Sequence, residues 1–223
     1  MDGLAIIPSG SEPGPALRRE FERGTPIVFV DREPILHADV VCSDNRGGAF
    51  LATEHLLSHG HRTIAFLGSR DASSSIRARR EGFDAAIENA GAEAVIRTGV
   101  TSIEEAEDAT MELLAPLAVG RPTAVFAAQN LAAAGAVRAL HRLGLQHEIA
   151  LVAFDHLETA DLVVPRVTTI PQNAEELGRR AAELLLARIA GSDGAPRRVV
   201  VPVTLEPRGS GEIPPRQPVR PAR

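Results

Sequence analysis

Lysine is missing from this chain: every one of its 24 basic residues is arginine. That excludes phosphate-cradling loops built on a lysine, and the pyridoxal and Schiff-base enzymes whose chemistry begins at a lysine amine. Tryptophan and tyrosine are also absent, which removes tyrosine acid–base sites and leaves phenylalanine as the sole large aromatic. Cys42 is the only cysteine, so no intrachain disulfide framework can form. Neither Cys-x-x-Cys nor His-Glu-x-x-His occurs. No apolar run approaches the ~20 residues of a membrane span. No N-terminal stretch combines a basic region, an apolar core and a cleavage site, so no export signal is read and a cytoplasmic location is expected. The net charge of −5 argues against this chain gripping a nucleic-acid backbone by itself.

What remains is ordinary for a soluble globular protein: 223 residues, 44% apolar and 24% charged, enough for a large core. Apolar strand-length runs alternate with helical periodicity almost throughout, which is the pattern of parallel sheets covered by helices. Strands are expected at Leu4–Ile7, Ile27–Val30, Ile64–Leu67, Ala94–Ile96, Ala124–Ala127, Ile149–Phe154, Val167–Ile170 and Val199–Leu205, with a short extended piece at Val40–Val41. Helices are expected at Ala16–Arg23, from Arg46 to a stop at Gly60, and at Ser75–Asn89, Ile103–Leu117, Leu131–Leu143 and Ala174–Ala190. Asp44 suits the N-cap of the second of these, and Gly60, Gly91 and Gly144 suit helix stops. From Gly209 onward the composition turns Pro- and Arg-rich, and disorder is expected.

In open α/β sheets, ligands collect beyond the carboxyl ends of strands. The polar residues there are Asp31, the Ser69–Ser75 loop, Gln129 with Asn130, and Asp155; Arg79 adds a guanidinium from the start of the helix after the loop. Each of these alone also fits a helix cap or a surface turn. Together, two carboxylates, a fork-shaped donor, an amide and hydroxyls suit a neutral polyhydroxylated ligand such as a sugar or nucleoside. His55, His59 and His61 have spacing that could bind a metal, but no carboxylate or cysteine is spaced to complete it, and a helix C-terminus explains them better. No Gly-x-Ser-x-Gly elbow and no nucleophile–base pairing is visible. No cofactor and no metal are expected.

Several phrases, in order, resemble the effector-binding core of LacI/GalR-type transcriptional repressors: DGLAIIPSG at the start, PIVFVDR from Pro26 and DNRGGAFLATEHLLSHGHRTIAFLG from Asp44. IRARREGF from Ile76, RPTAVFAAQNLAAAGAVRAL from Arg121, IALVAFD from Ile149 and VPRVTTIPQNAEELGRRAAELL from Val164 continue the series. The resemblance spans residues 2 to about 210. It implies a periplasmic-binding-protein-like fold of type I: two Rossmann-like parallel-sheet subdomains, crossing near Ser43, Pro171 and Val203, with a ligand cleft between them. The N-terminal subdomain would comprise 1–43 and 172–203, and the C-terminal one 44–171 and 204–210, with 211–223 a disordered tail. The effector-binding positions it implies are Asp31, Ser75, Arg79, Thr101, Gln129, Asp155 and Gln172. The implied partners are a small-molecule effector, carbohydrate in class, a second copy in a homodimer, and operator DNA reached through a domain this chain lacks; no membrane is implied.

Two departures from the family pattern stand out. The helix-turn-helix, the hinge helix and the first βα units of the family are not in this sequence, so the N-terminal subdomain is expected to be incomplete. Strands Leu4–Ile7 and Ile27–Val30 would then lack cover. The position where relatives stack an aromatic ring on a sugar is occupied by Thr101. Two other readings share the fold class: a solute-binding protein of a sugar transporter, and an α/β enzyme acting on a sugar or nucleoside through Asp31, Arg79 and Asp155.

Overall fold

The computed structural model describes residues 2–8, 14–33, 36–69, 73–115 and 120–216. Among them the chain forms two compact units, Met1–Asn45 with Asp71–Ala78 and Gln172–Val203, and Arg46–Arg70 with Arg79–Pro171 and Thr204–Arg223.

The first unit holds a four-stranded parallel sheet in the order β1 (Leu4–Ile6), β2 (Ile27–Val30), β3 (Asp39–Ser43), β9 (Arg198–Val201). Side chains alternate between its faces because successive strand residues point oppositely. Val28, Val41 and Val201 pack under α6 (Ala174–Ile189) with Leu177, Ala181 and Leu184. Ile27, Phe29, Val40 and Cys42 face the other way, onto Leu17 and Phe21 of α1 (Pro15–Glu22). The expectation that both early strands would be uncovered is therefore corrected for β2: it lies between β1 and β3, and Ile27, Val28 and Phe29 are buried. Of these two strands, β1 is the half-exposed one at the sheet edge, and Ile7 just beyond it is 65% exposed.

At the opposite end of this sheet, buried Asp39 is bound by Arg188 through Nε to Oδ2 (2.8 Å) and Nη2 to Oδ1 (2.9 Å). The remaining Arg188 donors reach the carbonyls of Ser192, Gly194 and Ala195, so one side chain fastens the turn between α6 and β9. Burial raises the Asp39 pKa, but hydrogen bonds from Arg188 and the Arg197 amide outweigh it and hold the carboxyl below its usual value.

The second unit holds a five-stranded parallel sheet in the order β5 (Glu93–Arg97), β4 (Thr63–Leu67), β6 (Ala124–Ala127), β7 (Ala150–Phe154), β8 (Thr168–Ile170). One face carries Ala65, Leu67, Val125, Ala127, Leu151 and Ala153 against α4 (Ile103–Leu113) and α5 (Asn130–Leu143). These two helices approach so closely at Gly135 that an added Cβ would lie 2.3 Å from the Ala106 Cβ and 2.5 Å from the Ile103 carbonyl oxygen. The other face centres on Phe66 and Phe126 with Phe83 of α3 (Ser74–Ala90), ring centroids 5.4–6.2 Å apart. The helix α2 (Asn45–Ser58) buries Ala49, Ala52, Leu56 and Leu57, the expected apolar stripe.

Most element ends shift by a residue or two, whereas α4 and β9 each end four residues before the sequence expectation, for identifiable reasons. Helix α4 ends at Leu113 with Leu114 as its cap, not at Leu117, because the residue before Pro116 is held out of the helical region. Strand β9 ends at Val201 rather than Leu205, since Pro202 has no N–H for the ladder. Arg79 lies in the second turn of α3, because that helix begins at Ser74.

The segment from Gly209 is not disordered as far as Ile213; residues 217–223, the rest of the expected tail, lie outside the described residues. Ser210 pairs with β7, its N–H reaching the Arg166 carbonyl, its carbonyl accepting from the Leu151 amide and its hydroxyl donating to the Leu151 carbonyl. The Thr168 hydroxyl accepts from the Arg208 and Gly211 amides, and Glu212 accepts from Thr168 and the Gly209 amide and meets His55 Nε2. Fully buried His61 has Nε2 at 2.8 Å from the Ile213 carbonyl and Nδ1 at 2.8 Å from the Thr123 hydroxyl. A carbonyl only accepts, so Nε2 carries the proton and Nδ1 accepts from Thr123. Burial holds the His61 pKa below the usual imidazole value, the carbonyl hydrogen bond acting in the opposite sense.

Candidate functional site

The strand order of the second unit reverses between β4 and its neighbours: β5 lies on one side and β6, β7 and β8 follow on the other. Such a switch point leaves a crevice at the carboxyl ends of the strands. Gly68, Ala128 and Asp155 follow β4, β6 and β7 there, and Arg79 bridges toward β7. Its Nη1 donates to the Ala128 carbonyl (2.7 Å) and to Asp155 Oδ2 (3.0 Å), and its Nη2 donates to Asp155 Oδ1 (2.9 Å). The guanidinium lies 3.8 Å from the centroid of the Phe154 ring.

Exposure divides this pair. The Arg79 side chain is 3% exposed and that of Asp155 20%. The arginine is therefore the buried support, and the carboxylate is the part presented outward. Asp155 follows β7 directly with φ +79°, a conformation few non-glycine residues adopt outside functional or turn positions. Its own amide is tied to the Ile170 carbonyl at 3.0 Å. Gln129 caps α5 and directs its side-chain amide to the Val100 carbonyl at 3.4 Å. Thr101 follows Val100, just before α4, where its amide and hydroxyl both donate to Glu105 Oε2 at 2.8 Å. Its hydroxyl hydrogen is thereby committed to the helix start, leaving it an acceptor. The Phe154 face beneath Arg79 is covered by the guanidinium, so that face is closed to a stacking ligand.

In the first unit, Asp31 follows β2 in the same left-handed conformation, φ +66°, with its amide bound to the Val41 carbonyl (2.8 Å) and Arg32 Nε 3.5 Å from its carboxylate. Ser75 is buried and its hydroxyl is 2.6 Å from that of Ser73. Gln172 Oε1 accepts from the Ser43 hydroxyl at 2.6 Å, which joins the ends of two chain segments of this unit. Thus four of the seven expected residues, Arg79, Thr101, Gln129 and Asp155, belong to the second unit, and Asp31, Ser75 and Gln172 to the first. Within the second unit Arg79 and Asp155 are in direct contact, as sequence position alone could not show. Sequence reasoning missed the Ala128 carbonyl and the Phe154 ring as partners of Arg79. The ring was readable in principle, since it immediately precedes Asp155 on a strand.

His55 and His59 are 4.6 Å apart by ring centroid, and His55 is engaged by Glu212. Among the described residues no group of three or more His, Cys, Asp or Glu side chains is arranged to hold a metal ion. No helix of the described residues is long and apolar enough to cross a membrane.

Two parallel α/β sheets, each with aspartate at a strand's carboxyl end, define the class of protein. The chain belongs to the periplasmic binding protein-like domain family, whose model matches residues 53–211, and its relatives are LacI-type transcriptional regulators. It is 32% identical to the ribose operon repressor of Halalkalibacterium halodurans over 176 residues, 77% of this chain and 52% of that protein. Its fold matches a LacI family transcriptional regulator from Enterococcus faecium with bound ribose, with TM-score 0.84 and 28% identity over 97% of this chain and 81% of that one. It also matches the transcriptional regulator CelR in complex with cellobiose, with TM-score 0.84 and 31% identity, covering 94% of this chain and 66% of that one. The chain spans about half the length of several curated relatives it matches.

Proposed function

We propose that this chain is the effector-sensing region of a LacI-type regulator and that its effector is a sugar or a similar neutral polyhydroxylated molecule. The observation that carries this reading is the Arg79–Asp155 pair at the switch point of the second unit's sheet. A carboxylate already neutralised by a buried guanidinium still offers acceptor lone pairs, and hydroxyl groups are the donors that match them without adding charge. Gln129 can both donate and accept, and the Thr101 oxygen accepts. Asp31, Ser75 and Gln172 are proposed as further effector contacts. With no tyrosine or tryptophan in the chain and the near face of Phe154 covered, affinity comes from hydrogen bonds more than from stacking. The ribose and cellobiose complexes of the two similar regulators support the choice of ligand class.

In this reading the role is binding, not catalysis; operator DNA is contacted through a domain outside this chain, and the regulator acts in the cytoplasm as a homodimer. Leu162 (80% exposed) and Val164 (69% exposed), on one loop of the second unit, are the apolar residues proposed for the subunit contact. The test is calorimetric titration and thermal shift with a sugar panel beginning with ribose and cellobiose. A saturable rise in melting temperature with one sugar, lost in Asp155→Asn, is expected. If the full panel leaves the melt unchanged, or if Asp155→Asn keeps the response, the assignment fails.

A further inference from the structure

A pocket of the second unit lies at the amino-terminal end of its sheet, opposite the strand ends that carry Gln129 and Asp155. It has a volume of ≈ 130 Å³ and is lined by Arg121, Pro122, Thr123, Glu148, Ile149 and Arg216. Thr123 immediately precedes β6, and Ile149 precedes β7, whereas Gln129 and Asp155 follow those strands. Strands of four and five residues separate the two ends by roughly 13–17 Å at about 3.3 Å per residue.

The charges in this pocket do not close among themselves. Arg216 Nη2 is bound to Glu148 Oε1 at 2.5 Å, which uses the one carboxylate of the lining. Arg121 Nε is buried and has no hydrogen-bond partner. Guanidinium cannot lose its proton in a protein, so the charge cannot be shed in the way a buried lysine's can. A buried donor on a charged group without an acceptor is costly to maintain, and a planar fork of donors fits an oxyanion best. The lining carries two guanidiniums against one carboxylate, a net positive charge.

We propose that this pocket is a second ligand site and binds a small oxyanion, a phosphate ion or the phosphoryl group of a phosphomonoester, between Arg121 and Arg216. The proposal does not depend on the sugar-sensing reading. Its consequence for the fold follows from where the two arginines sit. Arg216 belongs to the C-terminal segment, and Thr123 in the same lining holds His61, which in turn holds Ile213. An anion bridging the arginines adds another fastening between residues 213–216 and the start of β6.

The test is a thermal melt and calorimetric titration of the whole chain with inorganic phosphate in one arm and glycerol 3-phosphate in the other, sodium chloride holding the ionic strength constant. The wild-type melting temperature is expected to rise with either probe, and the tighter of the two identifies free ion or ester as the natural source. Arg121→Gln should bind the better probe about tenfold to a hundredfold more weakly, the loss of a charged hydrogen bond. Without phosphate it should melt at or above wild type, because it removes the unsatisfied donor. Arg216→Gln, a substitution on an exposed side chain that leaves the fold intact, should weaken binding in the same direction. A phosphate response no larger than that of matched chloride, or one retained in full by Arg121→Gln, overturns the proposal.

Discussion

Removing either partner of the Arg79–Asp155 pair should have unequal consequences, and the inequality follows from exposure. When Asp155 is replaced, Arg79 remains a charged group with a 3% exposed side chain, held over Phe154 and bound to the Ala128 carbonyl, without its carboxylate partner. Breaking a buried pair in this way costs about 3–5 kcal/mol. Alanine at φ +79° adds about 1–2 kcal/mol of backbone strain, whereas asparagine tolerates that conformation and keeps one side-chain acceptor. Asp155→Ala should therefore lose about 4–7 kcal/mol, and Asp155→Asn only about 1.5–3 kcal/mol, the worth of one charged hydrogen bond. When Arg79 is replaced by methionine, the charge disappears from the interior, and Asp155, whose side chain is 20% exposed, recovers water. The cost should be nearer 1–3 kcal/mol, from the unsatisfied Ala128 carbonyl and the lost contact on Phe154. Urea denaturation of the four variants, including Arg79→Met/Asp155→Ala, gives the coupling directly; it should exceed about 2 kcal/mol, with the double variant more stable than the sum predicts. Additive losses, or an Arg79→Met variant as unstable as Asp155→Ala, would refute the description of Arg79 as buried support and Asp155 as the open partner.

Three further outcomes are expected. His61 has its folded-state pKa lowered, while the unfolded value is near ~6.5, so its contribution is complete above that pH and is lost as pH falls toward the folded value. The drop in melting temperature from pH 7.5 to 5.5 should be smaller in His61→Gln than in wild type; equal slopes would contradict it. Gly135→Ala should destabilise by about 1–3 kcal/mol in chemical denaturation, because its Cβ would stand 2.3 Å from that of Ala106. Deleting residues 209–216 should lower the melting temperature and increase binding of a hydrophobic dye, since Ser210 and Glu212 satisfy polar groups of β7, β8 and α2; an unchanged melt would show that segment to be dispensable.

Much of this architecture was legible because strand and helix periods differ. Ile27–Val30 and Ala124–Ala127 match the sequence reading at both ends, and Gly144 stops α5 with φ +68°, as the residue's freedom from a Cβ allows. The strand-end rule also located Asp31 and Asp155, whose left-handed backbones fit their place between a strand and the next turn. What could not be read was contact between distant segments. Nothing in the composition of Gly209–Ile213 distinguishes a loose tail from one whose Ser210, Glu212 and backbone groups meet Thr168, His55 and His61, because those partners lie 42–157 positions away. The Asp39–Arg188 clamp, 149 positions apart, was invisible for the same reason. The boundary errors were local and came from weighting apolar runs above Pro116 and Pro202.

The positive φ of Asp31 has a bearing on how this chain would respond to selection. Its backbone is one glycine adopts freely, and the neighbouring Arg32 Nε lies 3.5 Å from its carboxylate. A campaign that rewarded heat resistance alone would be drawn to Asp31→Gly, which relieves about 1–2 kcal/mol of strain. It would thereby discard a carboxylate proposed to contact the effector, and the survivors would be sturdier proteins with a blunted response.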